Sequence, residues 1–238
     1  MKIFYFTATG NSLFAAQKIA ASTGADLISI PKVIAEQRTY TDDCIGFVYP
    51  QYADGLPKMV RSFILTNTFK AEYIFAVDLY SFIRVNALGE IAGIIPLNYG
   101  TYLKTPCNFI FAISPAKNPS VVLAKAEEKL AIIIRDISER KSKPVKPRES
   151  IGNATKYFGN ARFKITELCT NCGTCAKVCP AHNIELSSGV VFGNNCENCF
   201  ACVNLCPMHS IYSNKAMLKR RQYRNPIISA DEIAEANN

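Results

Sequence analysis

The sequence lacks a long hydrophobic run, a secretory signal and the glycine motif of dinucleotide-binding proteins. No apolar stretch approaches the length of a membrane-spanning helix, because residues such as Pro96 and Arg135 interrupt every candidate. The apolar N-terminal run ends at Phe6, which is too short for the core of a secretory signal. The sequence therefore predicts a soluble, cytoplasmic protein.

Charged residues are scarce, at 19% of the chain, whereas 49% of the residues are apolar. A disordered chain would show the opposite balance, so this composition excludes one. A chain of 238 residues can bury a sizeable core, and we expect two domains.

No Gly-x-Gly-x-x-Gly motif is present, and no grouping of residues indicates a general acid, a nucleophile or a hydride-donor site. These absences favour an electron carrier over a substrate-converting enzyme. They also place the primary reductant on another protein.

The ten cysteines are distributed unevenly. Only Cys44 and Cys107 lie in the first 168 residues, where each is expected to be a small buried apolar residue without chemistry. The other eight lie between Cys169 and Cys206. In a cytosolic chain such a concentration favours metal ligands or redox groups over disulfides.

Short apolar runs alternate with helical segments over the first 140 residues. The predicted strands are Lys2–Phe6, Asp26–Ile30, Cys44–Tyr49, Tyr73–Leu79 and Pro106–Ile113. The predicted helices are Asn11–Thr23, Leu56–Leu65, Asn86–Ile95 and a last one with the apolar stripe Leu123, Ala126, Leu130, Ile133 and Ile137. Strands that are apolar on both faces indicate helices above and below the sheet. The fold class is therefore α/β, a five-stranded doubly wound parallel sheet. In the order 2-1-3-4-5, the ligand crevice opens after strands 1 and 3.

The loop after the first strand reads Thr7, Ala8, Thr9, Gly10, Asn11 and Ser12 and leads directly into a helix. Helix-start amides and hydroxyl donors suit an anion, and Gly10 would let the backbone approach it closely. The loop has no Lys or Arg, which favours a phosphate monoester over a triphosphate. A hydroxyl-rich N-cap with no ligand is the alternative.

This loop resembles the flavodoxin phosphate loop, Thr/Ser-x-Thr-Gly-Asn-Thr/Ser, and the resemblance implies that it holds the phosphate of FMN. By the same resemblance, the loop after strand 3 offers its backbone and an aromatic ring to the flavin, through Gln51, Tyr52, Ala53 and Asp54. Tyr52 as an ordinary surface residue is the alternative. The loop Leu79–Asn86 departs from the family pattern, since it is bulky and contains no glycine. Either Tyr80 or Phe82 covers the flavin, or the bulk occludes the crevice.

A cysteine pattern occurs twice, with an offset of 27 residues. Cys169-x2-Cys172-x2-Cys175-x3-Cys179-Pro is followed by Cys196-x2-Cys199-x2-Cys202-x3-Cys206-Pro. Such a repeat implies two half-domains related by a pseudo-twofold axis. Structural zinc is the alternative, although zinc sites are typically built from separated Cys-x2-Cys pairs.

The spacing resembles that of bacterial ferredoxins with two [4Fe–4S] clusters, in which the fourth cysteine of each run crosses to the other cluster. The resemblance implies that one cluster is held by Cys169, Cys172, Cys175 and Cys206. It implies that the other is held by Cys196, Cys199, Cys202 and Cys179. Both resemblances together identify the chain as similar to flavodoxin–ferredoxin fusion proteins of anaerobic bacteria and archaea.

We expect a flavodoxin-like domain at 1–142, a basic proline-containing linker at 143–165, a two-cluster domain at 166–214 and a basic tail with a short helix at 215–238. The net charge is +8, and residues 141–168 hold seven Lys or Arg against two Asp or Glu. A basic region beside anionic clusters suits an acidic redox protein as partner. Neither nucleic acid nor a membrane is expected as a partner.

The expected function is electron transfer that couples FMN to two [4Fe–4S] clusters. Two alternatives stay open. The first is a flavin-dependent reductase of a quinone or another small oxidant, fed by the clusters. The second is a ferredoxin whose flavodoxin-like half binds no FMN and serves only for docking.

Overall fold

Five parallel strands form the central sheet of the N-terminal half. The computed structural model describes residues 1–52, 55–115, 117–149 and 163–238. The sheet consists of β1 (Lys2–Tyr5), β2 (Asp26–Ser29), β4 (Cys44–Pro50), β6 (Tyr73–Tyr80) and β7 (Tyr99–Lys104), in the order β2-β1-β4-β6-β7. A short parallel pair, β3 (Thr39–Thr41) and β5 (Thr68–Lys70), lies outside this sheet and was not predicted. The doubly wound order 2-1-3-4-5 is confirmed.

Helices cover both faces of the sheet. They are α1 (Asn11–Thr23), α2 (Ile30–Val33), α3 (Lys58–Thr66), α4 (Ala87–Ile94) and α5 (Ser120–Ser138). On one face, the hydroxyl of Tyr99 lies 3.1 Å from a carboxylate oxygen of Asp136 in α5. On the opposite face, the ring of Phe4 lies 5.1 Å from that of Phe63 in α3. All five members of the apolar stripe on α5 are buried, as the periodicity predicts.

The predicted fifth strand, Pro106–Ile113, is wrong. The fifth strand is Tyr99–Lys104, which pairs with β6, and residues 106–113 form an irregular loop beyond it. Three members of the apolar run, Phe109, Ile110 and Phe111, pack against the C-terminal half instead of in the sheet, whereas Ala112 and Ile113 are exposed. Ile110 is fully buried in a cluster that also contains Phe200 and Cys202. Burial therefore explains the composition of the run, but the partner is a distant part of the chain.

The C-terminal half is built from short elements around the two cysteine runs. They are β8 (Lys164–Ile165), α6 (Thr174–Lys177), β9 (Ile184–Leu186), β10 (Val190–Phe192), α7 (Ala201–Asn204), β11 (Ile211–Tyr212), a 3-10 helix (Lys215–Lys219) and α8 (Ala230–Asn237). Strand β9 pairs with β10, and β8 pairs with β11, both antiparallel. The equivalent helices α6 and α7 each follow a residue with a positive φ angle, as an internal repeat requires.

The basic tail turns back onto the N-terminal half. Arg220 donates a hydrogen bond to the carbonyl of Ile110 at 3.0 Å, and Arg221 donates to that of Pro115 at 2.6 Å. These two arginines therefore satisfy carbonyl groups that the irregular loop leaves outside the sheet. Helix α8 begins with a capping box formed by Ser229 and Glu232, and it packs beside α2.

The first part of the linker lies along the sheet edge. Lys143 accepts a backbone hydrogen bond from Gly100 at 3.0 Å and donates one to Asn98 at 2.8 Å. Its side chains are mostly exposed, but the backbone groups of Lys143 and the amide of Arg148 are paired with the N-terminal half. Residues 150–162 of the linker lie outside the described residues. Within the described ranges, no helix combines the length and apolar character needed to cross a bilayer.

The burial of Ile110 between the two halves predicts a specific effect of Ile110→Ala. Losing a buried isoleucine side chain costs about 2–5 kcal/mol of folding free energy. Because Ile110 contacts the cysteine loops, the variant should also release cluster iron to a chelator several-fold faster under anaerobic conditions.

Ile137→Ala is the matched control, since Ile137 is 1% exposed but belongs to the N-terminal core. It should lower the melting temperature to a similar extent and leave the rate of iron release unchanged. If both variants released iron faster to the same extent, Ile110 would not have a specific role in holding the cysteine loops.

Candidate functional site

A cavity of about 400 Å³ lies at the carboxyl ends of β1, β4, β6 and β7. This volume is in the range of small-molecule sites. The loops that follow these four strands supply most of the wall, and residues 198–200 of the C-terminal half supply the rest. None of the described lining residues is an Asp, Glu, Lys or Arg. The cavity therefore suits a largely apolar ligand that is held by neutral polar groups.

The loop after β1 lines the cavity with its hydroxyl groups. Thr7, Thr9 and Ser12 are each no more than 2% exposed, and all three contribute to the wall. The amide of Gly10 donates to the Thr7 hydroxyl at 3.1 Å, which closes the turn. No described side chain caps the start of α1. The first amides of α1 have no partner within the helix and are placed to bind an anion.

Gly10 and Asn11 belong to the loop after β1 and also contact the C-terminal tail. Gly10 has a φ angle of 95°, and a Cβ atom there would lie 2.9 Å from that of Ile228. The side-chain oxygen of Asn11 accepts hydrogen bonds from Tyr223 at 2.7 Å and from Asn225 at 3.2 Å. Contact with the tail is therefore a sufficient reason for glycine at this position, which we had explained by approach to a phosphate.

The loop after β4 brings Tyr52 between the cavity and the C-terminal half. Tyr52 and Gly55 exchange backbone hydrogen bonds at 2.9 and 2.7 Å. The Tyr52 hydroxyl is buried and has no hydrogen-bond partner among the described residues. Burial, and secondarily the charge of nearby Cys199, raises the pKa of Tyr52 well above its usual value. Ala53 and Asp54, which were predicted to contact a flavin, lie outside the described residues.

Glu90 in α4 supports this loop and was missed by the sequence analysis. It is 5% exposed, and its carboxylate accepts a hydrogen bond from the amide of Leu56 at 3.0 Å. The other carboxylate oxygen pairs with Arg61 at 2.8 Å. A Cβ atom on Gly55 would meet the Glu90 carboxylate, so a larger residue there would displace this side chain from its position. The sequence does contain a signal for this residue, because Glu90 is the single carboxylate within the otherwise apolar helix α4.

The bulky loop after β6 forms a wall and does not fill the crevice. The Gln51 side chain donates to the carbonyl of Ile83 and accepts from the amide of Val85, which joins this loop to the one after β4. Tyr80 and Phe82 both line the cavity, which stays open beside them. Of the two alternatives for this loop, occlusion is not observed.

Two further stretches of the wall were not predicted. They are Thr105, Pro106, Cys107, Asn108 and Phe109 after β7, and Asn198, Cys199 and Phe200 in the second cysteine run. The first stretch was hidden by its assignment to a strand, although its proline and asparagine are turn-forming residues. Nothing in the sequence around the second stretch indicates that it lines the cavity, because its position there depends on how the two halves pack.

Four cysteines line a second, smaller cavity in the C-terminal half. Cys196, Cys199 and Cys202 come from the second run, and Cys179 joins them from the first run. Burial raises the pKa of the Cys199 and Cys202 thiols well above the usual value. A positively charged metal centre would be needed to keep these buried groups as thiolates. The grouping is the one that crossed ligation requires.

The other four cysteines include the one exposed thiol of the eight, Cys172, although Cys175 and Cys206 are buried. Burial raises the pKa of Cys175 to about 11, and the charges of Cys206, Cys169 and Cys172 contribute to this shift. Cys175 and Cys206 belong to one buried cluster, and Cys169 and Cys172 lie close enough to act on Cys175. Cys172 is exposed, whereas Cys199 and Cys202 are buried. We call the group of Cys179, Cys196, Cys199 and Cys202 the inner site, and the group of Cys169, Cys172, Cys175 and Cys206 the outer site.

The doubled run of closely spaced cysteines favours a cluster over a single ion. Tetrahedral zinc, with Zn–S bonds of about 2.3 Å, brings its sulfur ligands within roughly 3.8 Å of each other. Among the described residues, no three His, Cys, Asp or Glu side chains approach closely enough to share one ion. In a [4Fe–4S] cluster each thiolate binds a different iron, so wider spacing is required.

The inner site is docked directly on the N-terminal half. The Glu197 carboxylate, 8% exposed, accepts a hydrogen bond from the amide of Met59 at the start of α3, at 3.1 Å. Beside it, Lys58 donates to Asn195 at 3.1 Å. Cys199 and Phe200 line both the larger cavity and the inner site. These two residues thus form a common wall between the two spaces.

Comparison with known proteins identifies the cysteine-rich region. A family model described as a 4Fe-4S dicluster domain matches residues 162–220. Over that region the chain is similar to domains that hold two [4Fe–4S] clusters, which supports iron–sulfur clusters as its cofactors. No curated protein matches the chain.

A crystal structure from Bacteroides eggerthii, provisionally described as a flavoprotein, matches with 18% identity and a TM-score of 0.36. The match covers 53% of this chain and 95% of the other. A score this low does not establish a common fold, so the fold assignment rests on the strand order alone.

Crossed ligation predicts which cysteine variants lose the same cluster and therefore give the same electron paramagnetic resonance spectrum. Cys179→Ser and Cys199→Ser should both damage the inner site, so the cluster that remains should give the same electron paramagnetic resonance spectrum in both variants. Cys206→Ser should match Cys172→Ser in the same way. If the spectrum of Cys179→Ser matched that of Cys172→Ser instead, each run would hold its own cluster.

Proposed function

We propose that this protein transfers electrons between FMN in the larger cavity and two [4Fe–4S] clusters held at the inner and outer sites. FMN exchanges two electrons in single steps, and each cluster carries one. The observation that carries the proposal is the common wall of Cys199 and Phe200. A ligand of the inner cluster thereby lines the cavity that suits a flavin.

The loop after β1 supplies the binding groups for a phosphate. The Thr7, Thr9 and Ser12 hydroxyls and the first amides of α1 are neutral donors, which match a phosphate monoester without a lysine or a metal ion. The remaining lining residues are mostly apolar or aromatic, among them Leu79 and Phe109. They would exclude water from a planar ring and hold it between the two halves.

The two cysteine sites have different tasks in this proposal. The inner site is buried between the cavity and α3, where Glu197 holds its loop in place. The outer site includes the exposed Cys172 and is the place for exchange with another redox protein. The positive charge of the chain suits a partner with an acidic surface.

Joining both cofactor sites in one chain removes the need for them to meet by diffusion. The contact is held by buried groups, including Ile110 and Glu197, so the distance across the common wall is set by packing. A tether of this kind gives a high effective concentration without additional affinity.

Anaerobic purification followed by quantification of iron, sulfide and FMN tests the proposal. Two [4Fe–4S] clusters and one flavin correspond to about eight iron atoms, about eight sulfides and about one FMN per chain. If the protein contains both clusters but binds no FMN even when titrated with it, the second alternative would hold, a ferredoxin whose N-terminal half serves only for docking. Rapid turnover of a quinone by the FMN-loaded protein would indicate a reductase instead of a carrier.

The proposed phosphate site predicts the effect of Thr9→Ala. Losing one hydrogen bond to a charged group costs about 1.5–3 kcal/mol, so the affinity for FMN should fall roughly 10- to 100-fold. Fluorescence titration measures this change, and the iron content should stay constant.

Riboflavin provides the matched control, because it lacks the phosphate. Its affinity should be the same for Thr9→Ala and for the wild-type chain. An equal loss of affinity for riboflavin and FMN would place the phosphate elsewhere in the cavity.

A further inference from the structure

The two cysteine repeats have different residues at one position, where the backbone has a positive φ angle in both repeats. Gly173 and Phe200 are equivalent, since they lie 27 residues apart and each precedes a four-residue helix. Gly173 has a φ angle of 80°, and Phe200 has one of 59°. The same left-handed turn is therefore built with glycine in one repeat and with phenylalanine in the other.

This conformation is unfavourable for a residue with a bulky side chain. The left-handed region brings Cβ close to the following carbonyl, so glycine occupies it without cost and phenylalanine does not. Gly173 shows that the cysteine loop can be built with glycine at this place. The strained backbone at Phe200 therefore indicates that its ring has a role beyond the folding of its own loop.

The ring of Phe200 joins the two halves. It is 4% exposed and lies edge-on to Phe109 and Phe163, with ring centres 5.6 and 5.9 Å away. It also contacts the ring of Phe111 at 6.1 Å. Phe109 and Phe111 belong to the loop after β7, so these contacts fix the second cysteine loop against the N-terminal half.

The same ring separates the two spaces. Phe200 lines the larger cavity and the inner site, next to Cys199. Without the ring, the cavity and the inner site would be joined by an open space. Water in that space would reach the sulfur of Cys199 and would change the environment of a bound cluster.

We propose that Phe200 is a positioning residue that sets the separation between the flavin cavity and the inner cluster and keeps water out of the wall between them. This inference rests on the proposed function. In the step concerned, one electron leaves the reduced cluster and enters the oxidised flavin, or the reverse, and no bond is made or broken. The clusters would be reduced by dithionite or by a pulse of a one-electron reductant.

Phe200→Gly and Phe200→Ala test the proposal together, because the glycine variant relieves the strained backbone and the alanine variant does not. Both should keep the wild-type content of iron. Both should raise the midpoint potential of the inner cluster and leave that of the outer cluster unchanged. After pulse reduction of the FMN-loaded chain, transfer between cluster and flavin should slow by about tenfold or more, since small displacements of reacting groups have large effects on rate.

Two control variants separate positioning from general packing. Phe200→Leu restores an apolar side chain and should recover both the potential and most of the rate. Phe69→Ala removes a ring that packs on Phe4 and Tyr40 in the N-terminal half and lines neither cavity, so it should leave the inner-cluster potential unchanged.

The outcomes distinguish this inference from the proposed function. Unchanged potential and rate in the glycine and alanine variants would overturn the role of Phe200 while electron transfer in the wild type stands. Loss of iron from Phe200→Gly would also overturn it, because the ring would then serve the folding of the loop. If the wild-type chain binds no FMN, the proposed function fails, and the potential of the inner cluster still decides the role of Phe200.

Discussion

The contact between the loop after β7 and the second cysteine loop is the constraint on which the site depends. Ile110 is fully buried in it, and the rings of Phe109 and Phe111 pack against Phe200. Because an apolar run at the end of a sheet would otherwise face water, its burial gives a favourable free energy to the docking of the two halves. The same contact supplies part of the wall of the larger cavity, so the wall of the candidate site is complete only when the two halves are docked.

Polar contacts fix the relative orientation of the halves. Glu197 is buried against the start of α3, where its negative charge also suits the positive end of the helix dipole. In the tail, the backbone amide of Asn225 donates to the carbonyl of Thr9 at 2.8 Å, and Asn225 is fully buried. The side chain of Ser29 donates to the carbonyl of Ala236 in α8. The N-terminal half is thus held both by the second cysteine loop and by the tail.

Much of the fold could be predicted because its causes are local. The helix Asn11–Thr23 was predicted with its observed bounds, and four of the five strands agree with the structure to within one residue. The capping box at Ser229 was visible in four consecutive residues. The fifth strand was misplaced because Tyr99–Lys104 contains a glycine and a terminal lysine, whereas residues 109–113 are more hydrophobic. Hydrophobicity reports that a segment is buried and does not say against what.

The sequence by itself determined the spacing of the cysteines, the bounds of the first four strands of the central sheet to within one residue and the hydroxyl-rich loop after β1, because each depends on residues close together in the chain. Only the tertiary structure decided that Cys199 and Phe200 form a wall of the cavity, that the tail covers Gly10 and that Glu197 binds α3. These contacts join residues about 90 or more positions apart, such as Phe109 and Phe200 or Met59 and Glu197. Such pairs leave no periodic pattern in a single sequence, since their proximity follows from the packing of two separately formed halves.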